Sequence, residues 1–154
     1  MSTSTVPAVL TALRTALAIY AGLTSVSVWT SWPGEMTGEN IVLCSGESME
    51  VEDRPLGIGE DDRDENYTIA GVIWVSYPDG TETEITACRD RAYAIYGCIE
   101  SYINDTIPQT ISTTCRNAEM TGHRLAQGIY AGSDFNGRWA QIDFSIDVEA
   151  QKQP

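Results

Sequence analysis

Basic residues are scarce in this chain. Nine Lys and Arg stand against twenty-two Asp and Glu, a formal net charge of −13. That field repels phosphate backbones and anionic lipid headgroups, which argues against direct nucleic-acid or membrane binding. Histidine is scarcer still: His123 is the only one, and it follows Gly122. Ser-His or Cys-His catalysis needs an imidazole beside the nucleophile, no Gly-x-Ser-x-Gly elbow accompanies this one, and a lone histidine at a strand start reads as a surface or turn residue. The four cysteines, Cys44, Cys88, Cys98 and Cys115, lack Cys-x-x-Cys spacing, so a zinc site has little to build on. They read as reduced thiols of a cytosolic protein. If Cys88 and Cys98 share a helix, they lie about 15 Å apart along its axis and cannot bridge.

Other signatures are missing too. Gly57-Ile58-Gly59 is too short for a dinucleotide fingerprint, and no Gly-Lys-Ser/Thr phosphate loop occurs. Asp62, Asp64 and Asn66 match the first three ligand positions of a calcium loop, but Tyr67 stands where its glycine must turn and Ile73 where its bidentate Glu belongs. The opening residues carry no positive n-region, and the apolar stretch 8–23 is broken by Arg14, so neither an export signal nor a membrane span is expected. The sequons at Asn66 and Asn104 have no meaning without secretion. The reading that results has no catalytic residue, no metal and no cofactor.

What is present suits one folded domain. With 154 residues, 42% of them hydrophobic and 20% charged, the chain can bury a core without staples. Thr5 as N-cap, Pro7 in the first turn and Val6, Val9, Leu10, Leu13, Leu17 and Tyr20 at helical spacing predict an amphipathic helix stopped at Gly22. Alternation over 25–32 predicts a strand, broken by Pro33-Gly34. Ile41 to Cys44 predicts a second strand, hairpin-paired to the first and ended by Gly46.

Residues 47–65 carry nine acidic side chains among Pro55, Gly57 and Gly59, and are expected to form a long mobile loop that contributes little to folding. Residues 67–77, apolar on both faces, predict a strand in mid-sheet. After Pro78-Asp79-Gly80, a capping box of Thr81 and Glu84 opens a helix to about Asn104, with Ile85, Cys88, Ala92, Ile95, Ile99 and Tyr102 on its inner face. A hairpin closes the chain: 124–131, a turn around Asn136-Gly137, then 138–148 with Ala140, Ile142, Phe144, Ile146 and Val148 inward. Residues 106–123 are ambiguous, with an extra strand near 111–115 as one option.

The fold class that follows is α+β: a mixed, mostly antiparallel sheet of four to five strands flanked by two helices, in a single domain over 1–154. Trp29, Trp32, Trp74 and Trp139 all fall in or beside strands, where burial accounts for most of them. Trp139 is out of phase with the apolar row that begins at Ala140, so it should point away from the core as an interface anchor. Together with Arg138 and the acidic Glu60, Asp61 and Asp62, it makes up the candidate interaction set.

The order helix, strand pair, acidic segment, central strand, long helix and terminal hairpin resembles the tail terminator proteins of long-tailed bacteriophages. The stretches that carry it are Val6-Pro7-Ala8-Val9-Leu10, Glu39-Asn40-Ile41-Val42-Leu43, Glu65-Asn66-Tyr67-Thr68-Ile69, Arg89-Asp90-Arg91-Ala92-Tyr93 and Arg138-Trp139-Ala140-Gln141-Ile142. The resemblance implies a non-enzymatic virion subunit, assembled in the host cytoplasm and placed at the tail-neck junction. Its expected form is a homo-oligomeric, hexameric ring touching the tail tube protein on one side and the head-neck connector on the other. An alternative from the composition alone is an acidic binding module or inhibitor that imitates nucleic acid and occupies a basic site on a partner.

Overall fold

The computed structural model describes residues 4–46, 48–55, 63–78, 82–107, 111–131 and 136–152. Among them the chain forms two helices and six strands, in the order α1 (Val6–Ile19), β1 (Ser27–Trp29), β2 (Glu39–Leu43), β3 (Val51–Pro55), β4 (Arg63–Tyr77), α2 (Glu82–Asp105), β5 (Cys115–Ala131) and β6 (Asn136–Lys152). One mixed sheet runs β1-β2-β4-β6-β5, and β3 joins it by pairing with β4. The α+β class holds, with one strand more than expected.

The apolar periodicity of both helices translates into burial. Val9, Leu13 and Leu17 of α1, and Cys88, Ala92, Ile95, Ile99 and Ile103 of α2, are buried against the sheet. The sheet supplies Ile41, Leu43, Ile69, Ile73 and Val75 from β2 and β4, and Ala140, Ile142, Phe144, Ile146 and Val148 from β6. β4 lies mid-sheet as its double apolar character requires, with β6 along its whole length on one side and β2 and β3 end to end on the other. Gly71 lets β4 pass under Phe144: a Cβ there would lie 2.2 Å from the ring.

Two expectations are corrected and one ambiguous stretch is resolved. β1 covers only Ser27–Trp29 and pairs parallel to β2, not as a hairpin, in the register Ser27↔Asn40. The intervening segment, with Gly34 and Gly38 at positive φ, is long enough to return the chain to the start of β2, and α1 packs on the new strand. The acidic stretch 47–65 is not loop from end to end. Val51–Pro55 and Arg63–Tyr67 form an antiparallel ladder, so its two arms belong to the sheet, while 56–62 lie outside the described residues. Within the ambiguous stretch 106–123, β5 begins at Cys115, with register shifts between Cys115 and Asn117 and between Met120 and His123, while 108–110 lie outside the described residues.

Both helices pack on one face of the sheet. Inward residues of β4 and β6 alternate with Asn66, Thr68, Val72, Trp74, Gln141, Asp143, Ser145 and Asp147, which look the other way. No helix covers that second face among the described residues.

Candidate functional site: the uncovered sheet face and its edges

The uncovered face has an apolar end and an acidic end. At the apolar end the indole of Trp139 lies flat on that of Trp74, with ring centroids 5.2 Å apart and planes 11° from parallel. Val42 and Val72 are buried beside them. Gly128 sits under Trp139 across the β5–β6 ladder, and a Cβ there would approach the indole to 3.0 Å. Asn40, also buried, accepts a hydrogen bond from Trp29 Nε1 at 3.0 Å and donates to the Thr37 carbonyl at 2.9 Å. That pins Trp29 at the sheet margin, where it stays 38% exposed.

At the acidic end the segment Ser48–Glu52, β4 from Asn66 to Ala70 and β6 from Asp147 to Glu149 bound a shallow groove of about 1020 Å³. Glu50, Glu52, Asp147 and Glu149 line it, and no Lys or Arg does among the described residues. Thr68 Oγ1 donates to Asp147 at 2.6 Å and fixes one of these carboxylates. Such a groove attracts cationic groups and repels anions.

On the helix face, below the core, Glu65 is 1% exposed yet charged. Its carboxylate accepts hydrogen bonds from Thr5 N at 2.7 Å, Thr5 Oγ1 at 2.6 Å and Ser4 Oγ at 3.3 Å, at the N-terminus of α1. The expected N-cap Thr5 therefore makes no side-chain cap of its own, because its hydroxyl is committed to Glu65. Lys152 reaches Glu65 at 3.2 Å and Asp53 at 2.7 Å. Burial pushes the Glu65 carboxyl up, but donors from Thr5, Lys152 and Ser4 outweigh it and hold it below the ordinary carboxylate range. Tyr67, its hydroxyl 3.3 Å from Thr5 Oγ1, is pushed up to about 12, chiefly by burial. This network ties the first helix to the last strand.

A second pair does the same for α2. Arg91 grips Glu39 through Nε at 2.7 Å and Nη2 at 3.1 Å, and Nη2 also donates to the Gly22 carbonyl at 3.0 Å. The Arg91 hydrogen bond holds Glu39 below its usual range despite its partial burial. His123 is exposed beside Tyr93, whose hydroxyl lies 3.3 Å from Nε2, and beside the Tyr96 ring, 4.7 Å away between centroids.

No protein-family model matches the chain, and no curated protein is similar to it.

Of the expected interaction residues, Trp139 does face away from the helices, but as half of a stack with Trp74 rather than as a free anchor. Arg138 lies on the helix side of β6, where its carbonyl accepts a hydrogen bond from Cys88 Sγ at 3.4 Å, so the two neighbours serve opposite faces. Glu60, Asp61 and Asp62 lie outside the described residues. None of the four cysteines forms a disulfide. No group of three or more His, Cys, Asp and Glu could hold a metal, and no helix is long and apolar enough to cross a membrane, among the described residues.

Sequence reasoning missed Trp74, Val72, Val42 and Gly128 as one patch. The available signal was the double apolar character of 67–77, which implied that a second face is also partly dry. Nothing local flagged Glu65 with Thr5 and Lys152, partners far apart in the chain.

Proposed function

We propose that the protein is a structural subunit of a phage virion that closes the tail tube as a ring and joins it to the head-neck connector. The apolar margins of the sheet support this reading. Trp29, Trp32 and Ile129 stay 38%, 51% and 56% exposed, apolar surface to be covered by something else. The whole-chain resemblance to tail terminators says what: the tube on one side, the connector on the other. The net charge of −13 opposes contact between copies, so subunits in low salt stay apart and close on the tube or at higher ionic strength. A hexamer is the order that the resemblance implies.

The acidic groove favours a second reading, a module that occupies a basic site on a partner by imitating nucleic acid. Composition of purified virus particles separates the two. A terminator is present in a few fixed copies at the tail-neck junction and labels there by antibody imaging. A protein found only in the infected-cell extract, bound one to one to a basic host protein, overturns the terminator reading in favour of the module.

A further inference from the structure

We propose that two of the sheet's open edges are the two halves of one self-association contact, the β5 edge of one copy pairing antiparallel with the β1 edge of the next. This deepens the ring reading and rests on it. Among the described residues, no strand pairs with the outer edge of β5 or of β1, so each presents a row of backbone donors and acceptors. Natural sheets blunt such edges with bulges, charges and proline. β5 does so only in its first half, where both register shifts, Arg116 and Glu119 lie. From His123 to Ala131 its ladder is unbroken, contains no proline and carries Arg124 as its one formal charge. Ile129 in that stretch is 56% exposed.

The opposite margin is matched to it. From Thr15 to Gly34 the chain has no charged residue, and this is the stretch that holds β1, with Trp29 and Trp32 38% and 51% exposed. In a chain of −13, copies meet at least electrostatic cost where neither surface is acidic, and these two margins satisfy that condition. Direction agrees as well. β1 runs parallel to β2, and each later step β2–β4, β4–β6 and β6–β5 reverses direction, so β5 runs opposite to β1. A second copy placed head to tail in the plane of the sheet therefore meets β5 as an antiparallel partner. On the uncovered face the β5 margin offers the small Ala126 and Gly128, with Trp139 over the latter, so an incoming Trp29 extends the row formed by Trp74 and Trp139. Because the two patches differ, the contact is head-to-tail, the kind that closes into rings.

Two blocking variants test this. Ile129→Lys blocks the β5 edge and leaves β1 intact; Trp29→Lys does the reverse. Because Trp29 bonds to Asn40, Ser27→Lys, at an exposed β1 position, serves as a second β1 block if Trp29→Lys lowers the melting temperature. Light scattering is read at a salt concentration where wild type forms its ring. Each variant alone is expected to be monomeric, and an equimolar mixture is expected to give a one-to-one dimer and nothing larger, since one good edge of each kind remains. A Trp29→Lys or Ser27→Lys variant that dimerises alone would show β5 pairing with itself and overturn the proposal. Variants that still form the wild-type ring would also overturn it, placing the ring contact elsewhere while leaving the ring reading standing. A wild type that is monomeric in every salt and on tail tubes removes the ring reading and this contact together.

Discussion

Replacing Glu65 by Gln removes one negative charge from the interior without changing the side chain's shape. The wild-type carboxylate takes three donors from Ser4 and Thr5 and the ammonium of Lys152. Hydrogen bonds to charged groups contribute about 1.5–3 kcal/mol each, and losing one partner of a buried pair costs about 3–5 kcal/mol. Gln keeps an acceptor for Thr5, and Asp53 continues to neutralise Lys152 at 2.7 Å, so only part of that is lost. The expected net cost is about 2–4 kcal/mol, a fall of about 10 °C in Tm for a chain of this length. Because the folded carboxyl titrates below its ordinary value of 4.5, its contribution is fully present above pH 4.5 and is lost as pH falls through the lower folded value. Thermal melts of both proteins by circular dichroism should therefore differ most near neutrality and converge in acid. A Glu65→Gln protein that melts within about 2 °C of wild type at pH 7, or a gap that does not shrink as pH falls, would refute the reasoning.

Other consequences are simpler. Ile99 is fully buried on the inner face of α2, so Ile99→Ala should cost about 2–5 kcal/mol in chemical denaturation, and an unchanged midpoint would mean that this face packs loosely. Gly128→Ala puts a methyl 3.0 Å from the Trp139 ring and should weaken the near-ultraviolet dichroism of the stacked indoles while costing about 1–3 kcal/mol. Tyr67, pushed up to about 12, favours the folded state below its ordinary value of 10, and this support disappears as pH rises through 12. Tyr67→Phe should therefore resist alkaline unfolding better than wild type, relative to their stabilities at pH 8.

The parts of this fold set by local pattern were readable. Ile95, Ile99 and Ile146 follow from 3.6- and 2-residue periodicity, and all three are fully buried. Mid-sheet β4 followed from its run of apolar residues on both faces. What failed depends on distant partners. The parallel pairing of β1 is decided by the return path through Gly34 and Gly38 and by α1 above it, neither of which alternation within 25–32 encodes. Glu65 looked like one acid among nine, and only the fold brings Thr5 and Lys152 to it. The candidate surface was half legible: phase alone put Trp139 on the uncovered face, while the stack with Trp74 and the small residue beneath it emerge only when β5, β6 and β4 are laid side by side.

The central claim, that copies of this chain close into a ring, is tested most directly by light scattering of the purified protein as salt rises, followed by imaging with and without tail tubes. Screening weakens the repulsion between subunits of charge −13, so the mass should rise from monomer at low salt to a closed ring of six, and rings should sit on tube ends. A monomer under all these conditions, with Trp139→Asp fully functional in tail completion, would contradict it.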